Sequence, residues 1–149
     1  MLRAIQTAVV LGAGVVLAAC ASGPSYSEVK SSIPSLASDK GRIYFYRSNS
    51  MVGAAIQPNI TLNGVVVGDS EPGGFFYVDR PADKYEAVCG TEVDRKASFM
   101  LDAGQERYIK TTISMGMMVG HVTPELVDPA EGTAAIQELH YAPLKSSQK

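Results

Sequence analysis

The chain has no tryptophan, two cysteines among 149 residues and no surplus of charge, with 13 Lys+Arg against 15 Asp+Glu. Each shortage excludes something. Two thiols can build neither a disulfide scaffold nor a four-thiolate zinc site. A formal net charge of −2 without a basic block provides no phosphate-neutralising surface, so nucleic acid is not an expected partner. Aromatics, at 7%, show no excess. There is no G-x-S-x-G elbow, no H-E-x-x-H and no repeat of solenoid length. The two histidines, His121 and His140, stand alone. A hydrolytic set can be written from Ser114 or Ser98 with His121 and Asp102, but no local motif supports it. Glu92 and Asp94 read as a solvated, charged turn. The expectation is a non-enzyme without a cofactor.

What is present begins with residues 1–19, MLRAIQTAVVLGAGVVLAA, where Arg3 precedes an uncharged run and fourteen of nineteen residues are hydrophobic. A positive start, an apolar middle and small residues at the end are the parts of a secretory signal. As a permanent span the run is short, since a helix needs roughly 20 apolar residues to cross the hydrocarbon. Leu17-Ala18-Ala19-Cys20 then resembles the lipobox of bacterial lipoproteins, in which cleavage precedes a cysteine whose thiol carries a diacylglyceryl group. Cys20 is the expected lipidation site. Two or more acyl chains hold a protein stably to a bilayer, at about 0.8 kcal/mol per buried CH₂. Ala21 stands where an Asp would resemble an inner-membrane retention signal, which favours an outer-membrane anchor facing the periplasm.

Residues 20–40 carry seven Ser and two Pro without sustained hydrophobic period, and are expected as a flexible tether with an r.m.s. reach of about 25 Å. A short helix from Tyr26 to Leu36 is the alternative, weakened by Pro34 and the serines. From Gly41 the texture changes to short strand-like runs separated by turns: RIYFYR (42–47), NITLNGVVVG (59–68), GGFFYVDR (73–80), KYEAVCG (84–90), KASFML (96–101) and ERYIKTTIS (106–114). Asn63-Gly64 between two apolar runs is a strong hairpin signal. Turns every 8–12 residues predict an all-β sandwich. Ile43 and Phe45 share one face of their run, and Ala97, Phe99 and Leu101 share one face of theirs; these are the expected core. Asp128-Pro129 predicts a helix start, with a short helix over 129–139 whose face is Ala134, Ala135, Ile136 and Leu139, although Gly132 weakens it.

These motifs, together with GRIYFYRSNSMVGAA (41–55), LDAGQERYIK (101–110), ISMGMMVG (113–120) and PELVD (124–128), resemble a bacterial lipoprotein family, the domain-of-unknown-function 2846 family. The resemblance implies a small β-sandwich similar to PEGA and carboxypeptidase-regulatory-like modules. It carries no catalytic residues to transfer. Where related sequences have Pro-Gly, this chain has Pro81-Ala82-Asp83, and Asp also suits a turn.

The expected molecule is therefore mainly β, an antiparallel sandwich of about seven short strands over 41–141 with a short C-terminal helix and a flexible tail at 142–149. Its expected role is a non-catalytic interaction or structural module of the cell envelope. Tyr44, Tyr46, Tyr77, Tyr85 and Tyr108, within or beside strands, are candidates for a contact surface toward an envelope protein or polysaccharide. The Met-rich run offers an alternative: Met115 and Met117 with His121 as soft ligands for copper. Packing is the competing role for those methionines, as it is for Cys89, which reads as a small buried hydrophobe.

Overall fold

The Asn63-Gly64 dipeptide turns the chain as its residue types demand. Both take positive φ, 48° and 82°, and join β2 (Asn59–Leu62) to β3 (Val65–Asp69). The Asn63 side chain latches this turn to its neighbour, donating to the Lys84 carbonyl and accepting from the Glu86 N–H. The computed structural model describes residues 20–91, 93–116 and 120–145. The leader and lipobox residues Leu17, Ala18 and Ala19 lie outside those residues, as do Glu92 and Met117.

The other expected runs form β1 (Lys40–Tyr46), β4 (Gly74–Pro81), β5 (Asp83–Cys89), β6 (Arg95–Leu101) and β7 (Glu106–Met115). Two further strands, β8 (Gly120–Val127) and the two-residue β9 (His140–Tyr141), raise the number above seven. Pro124 sits inside β8, which it can because β8 is an edge strand. A five-stranded sheet, ordered β8-β7-β1-β4-β9, faces a four-stranded sheet, ordered β3-β2-β5-β6. Pairing is antiparallel except for β1 with β7 and β4 with β9, which run parallel.

Between the sheets lie Ile43, Phe45, Ile60, Leu62, Phe76, Ala87, Phe99, Leu101, Ile109 and Val122. Phe45 and Phe76, cross-strand partners, stack at 5.0 Å. Ile43, Phe45, Phe99 and Leu101 are thus in the core as expected, while Ala97 is only half-buried.

A second apolar layer covers the outer face of the five-stranded sheet. Helix α2 (Pro129–Ile136) starts as predicted, the Asp128 carboxylate accepting from the Ala130 N–H at 2.8 Å. It ends three residues early, Gln137 to Leu139 continuing as a turn. Its buried residues are Gly132 and Ile136, and Ala134 is exposed. Gly132 is there for closeness: a Cβ would stand 2.2 Å from the Tyr108 ring. Ile136 and Leu139 close over Tyr44, Tyr46, Phe75 and Tyr108. This corrects the expected contact surface. Tyr44, Tyr46 and Tyr108 are buried beneath the helix, Tyr85 is buried in the main core and Tyr77 is partly covered. Strand alternation puts the Tyr44, Tyr46, Tyr77 and Tyr108 rings on the face away from the sandwich core, but that face is not wet.

The hydroxyls differ sharply. Tyr108 donates to Glu106 and accepts from Thr133, both at 3.1 Å, whereas the buried Tyr46 hydroxyl finds no partner among the described residues. Tyr46→Phe is expected to raise stability by about 0.5–1 kcal/mol and Tyr108→Phe to lower it by about 1 kcal/mol. Paired urea titrations check this; a Tyr46→Phe protein less stable than the parent contradicts it.

The Ser/Pro-rich segment is not the expected free tether over 21–33. It forms a short helix, α1 (Tyr26–Val29), and a 3₁₀ turn at Lys30–Ser32. Ser25 and Glu28 make a capping box, so the start of the alternative helix is present. The Tyr26 ring packs edge-on against Phe75 at 5.6 Å. The Tyr26 N–H donates to the Leu139 carbonyl and the Tyr141 N–H to that of Pro24. Serines weaken a free helix, but apolar contacts at Tyr26 and Val29 with the outer layer hold this one.

Candidate functional site

Strand β1 ends at Tyr46, and Arg47 follows. A cation there has no acidic neighbour in sequence, because residues 48–68 contain no Asp, Glu, Lys or Arg. Arg47 is nonetheless only 4% exposed. Its guanidinium donates to three carbonyls: Ile56 at 2.7 Å, Gly53 at 2.9 Å and Ser70 at 3.0 Å. Burial lowers its pKa from the usual arginine value, yet a guanidinium remains charged in proteins. The Arg47 backbone is tied as well, donating to Gly74 and accepting from Gly73. Beside it the Ser70 and Thr111 hydroxyls meet at 2.8 Å. One side chain thus gathers the 48–58 loop and the 70–73 turn at one end of the sandwich.

Cys20 lies at this end. Its Sγ is 3.5 Å from the Asn49 Oδ1, and the Ala21 N–H donates to the Pro72 carbonyl at 2.9 Å. The cysteine is half-buried; two residues on, Ser22 and Gly23 line an open cleft of about 240 Å³ together with Glu71, Tyr141 and Leu144. Glu71 pairs with Lys145 at 3.8 Å. The 48–58 loop also touches the β7–β8 hairpin. Gly53 takes φ +64°, and a Cβ there would meet the Ile113 side chain at 1.9 Å; a Cβ on Gly120 would meet Ile56 at 2.6 Å.

At the opposite end Arg42, β1's other buried cation, has a carboxylate. Its Nε and Nη2 donate to the two Asp79 oxygens at 2.7 and 2.8 Å, and Nη2 also donates to the Pro34 carbonyl at 2.9 Å. The guanidinium lies 4.6 Å over the Tyr77 ring. The Asp79 hydrogen bonds hold its pKa above the usual arginine value despite burial.

Of the expected soft ligands, Met117 lies outside the described residues, and Met115 and His121 do not converge. Ser114 pairs with His121 across β7 and β8, and Met115 with Gly120. Adjacent strand residues point to opposite faces, so His121 and Met115 diverge, and Met115 is 71% exposed. The His121 Nδ1 is buried without a partner among the described residues. Among the described residues no group of three His, Cys, Asp or Glu side chains converges. Ser98 is on β6, in the other sheet, hydrogen-bonded to Glu86; Asp102 lies beyond β6 with its N–H bonded to Gln105.

Cys89 is fully buried, and burial pushes its thiol up to about 12. Burial likewise raises Tyr44, Tyr46, Tyr85, Tyr108 and Tyr141, with Tyr46 and Tyr108 reaching about 12. Each group has a higher pKa folded than unfolded, near 8.5 for the thiol and about 10 for a phenol. The stability they contribute is full below those unfolded values and is lost as pH rises through the folded ones. Denaturant midpoints are expected to hold at pH 8 and fall steeply between about pH 10 and 12, with tyrosinate absorbance rising together with unfolding. Tyrosinate appearing fully in the folded protein near pH 10 contradicts this.

Sequence reasoning singled out Cys20 and passed over Arg47 and the loop it holds. The available signal was a single cation at the end of an apolar strand, followed by a long uncharged stretch.

An uncharacterized protein of Haemophilus influenzae (strain ATCC 51907 / DSM 11121 / KW20 / Rd) is similar, 27% identical over 138 residues that cover 89% of this chain and 82% of that one. No solved structure matches. A family model described as "Protein of unknown function (DUF2846)" matches residues 37–123, a span that holds Arg42, Arg47, the 48–58 loop and Cys89 and leaves Cys20 outside. With more than half of its length in that match, the chain belongs to the DUF2846 family.

Proposed function

We propose that the protein is a lipid-anchored component of the cell envelope, an outer-membrane lipoprotein facing the periplasm, acting through contacts rather than catalysis. The observation that carries the reading is Leu17-Ala18-Ala19-Cys20 behind a cationic, apolar leader. The accessible position of Cys20 at one end of the sandwich supports it, since acyl chains attached there meet no core. The likeness of the sandwich to PEGA and carboxypeptidase-regulatory-like modules belongs to the same proposal. With the tyrosines covered, the surface for an envelope protein or polysaccharide shifts to the strand edges. β3, an edge strand, presents Val65 and Val66, 63% and 42% exposed, and an open edge can accept an added strand.

The test is metabolic labelling with palmitate, with fractionation, of the parent and Cys20→Ala. The parent is expected to carry label and sediment with membranes; the variant is expected to lose both. A variant that still takes up label overturns the anchor.

A further inference from the structure

We infer that the sandwich lies directly on the bilayer, with Met51, Val52 and Met115 seated among the headgroups and upper acyl chains around the acylated Cys20. This rests on the lipid-anchor reading and adds to it an orientation and a second, non-covalent lipid contact.

The docking of residues 21–33 removes the alternative in which the domain floats clear of the membrane. Ala21 is hydrogen-bonded to Pro72 and Pro24 to Tyr141, so chain length between Cys20 and the sheet is not available as reach. Acyl chains on Cys20 leave from the body of the domain. The side chains beside that exit are apolar and outward. Met51, two residues past the Asn49 that contacts Cys20, is 79% exposed and Val52 is 59% exposed. Strand β7 runs five residues beyond the Lys110–Tyr46 pairing, about 16 Å at roughly 3.3 Å per residue. It carries the exposed Met115 to the same end.

Charge has the matching distribution. Residues 48–68 and 111–124 hold no Asp, Glu, Lys or Arg. At the opposite end, the β4–β5 and β6–β7 connections and their flanks hold Asp79, Arg80, Asp83, Lys84, Asp102 and Glu106. The charges at the Cys20 end include Asp69 at the end of β3, the Glu71–Lys145 pair, Asp94 in the β5–β6 connection and Arg95 at the start of β6; they border the apolar tips and meet headgroups rather than acyl chains. A surface that is apolar at its tips and polar at its border suits the lipid interface. Arg47 holds the Met51 loop in place through the Gly53 and Ile56 carbonyls, so the tips form a fixed surface.

The experiment uses the full acylated protein in vesicles of phosphatidylethanolamine and phosphatidylglycerol, with an environment-sensitive fluorophore on Met51→Cys, Met115→Cys or Asp102→Cys. Cys89 is buried and an acylated Cys20 has no free thiol, so each variant labels at one position. A blue shift and quenching by a lipid-borne nitroxide are expected at positions 51 and 115 and not at 102. Intact mass reports acylation in the same samples. An acylated protein with a water-exposed label at 51 overturns this inference and leaves the anchor standing. A shift without quenching, which marks contact between protein copies, does the same. An unmodified Cys20 removes the anchor reading and this inference with it.

Discussion

Arg47→Met is expected to lower the free energy of unfolding by about 3–4 kcal/mol. Methionine fills much of the volume but leaves the carbonyls of Gly53, Ile56 and Ser70 without their charged donor. A buried acceptor stripped of its partner costs roughly 1–3 kcal/mol. Three such losses are offset in part because the buried cation no longer has to be desolvated. Arg47→Lys is expected to recover only a fraction, since an ammonium does not reproduce the planar fork that serves three directions. Denaturant midpoints measure both, and an Arg47→Met midpoint equal to the parent's contradicts the assignment. Proteolysis gives a local reading: cleavage in 48–58 is expected to accelerate in the variant before global unfolding, because that loop loses two of its ties.

Asp79→Ala is the second large effect, expected at about 2–3 kcal/mol. The Arg42 side chain is 5% exposed and its partner 26%. Removing the carboxylate leaves a buried guanidinium with the Pro34 carbonyl and the Tyr77 ring. Loss of one partner from a fully buried pair costs about 3–5 kcal/mol, and the partial exposure of Asp79 reduces this. Arg42→Met combined with Asp79→Ala is expected to be more stable than Asp79→Ala alone, because the stranded charge is gone. A double-mutant cycle with no coupling contradicts that account.

Elements specified by neighbouring residues were readable from sequence. Asn63-Gly64 fixes its hairpin by backbone conformation, Asp128-Pro129 starts a helix by capping, and Ile43, Phe45, Phe99 and Leu101 face inward by alternation. What was not readable depends on distant partners. The parallel pairing of β1 with β7 joins residues more than sixty positions apart. Tyr44 and Tyr46 alternate with the core residues as surface tyrosines would, and only α2, some ninety residues on, buries them. Pro124 obscured β8, since proline argues against a strand until an edge position makes it acceptable. At the candidate site, Cys20 has a local motif. Arg47 has none, because its partners are backbone carbonyls, which no residue type announces.

The docked N-terminal segment also has a mechanical meaning. A pull on Cys20 relative to the sheets loads the Ala21–Pro72 and Pro24–Tyr141 hydrogen bonds, then the Tyr26–Phe75 contact, and last the Arg42 bond to Pro34. None of these crosses the core between the sheets. Under tension the segment can peel from the outer layer while the sandwich stays closed, releasing the nineteen residues from Ala21 to Asp39, about 65 Å of chain when fully extended. Under the proposed anchor at Cys20, the protein would be held close at rest and have slack in reserve under load.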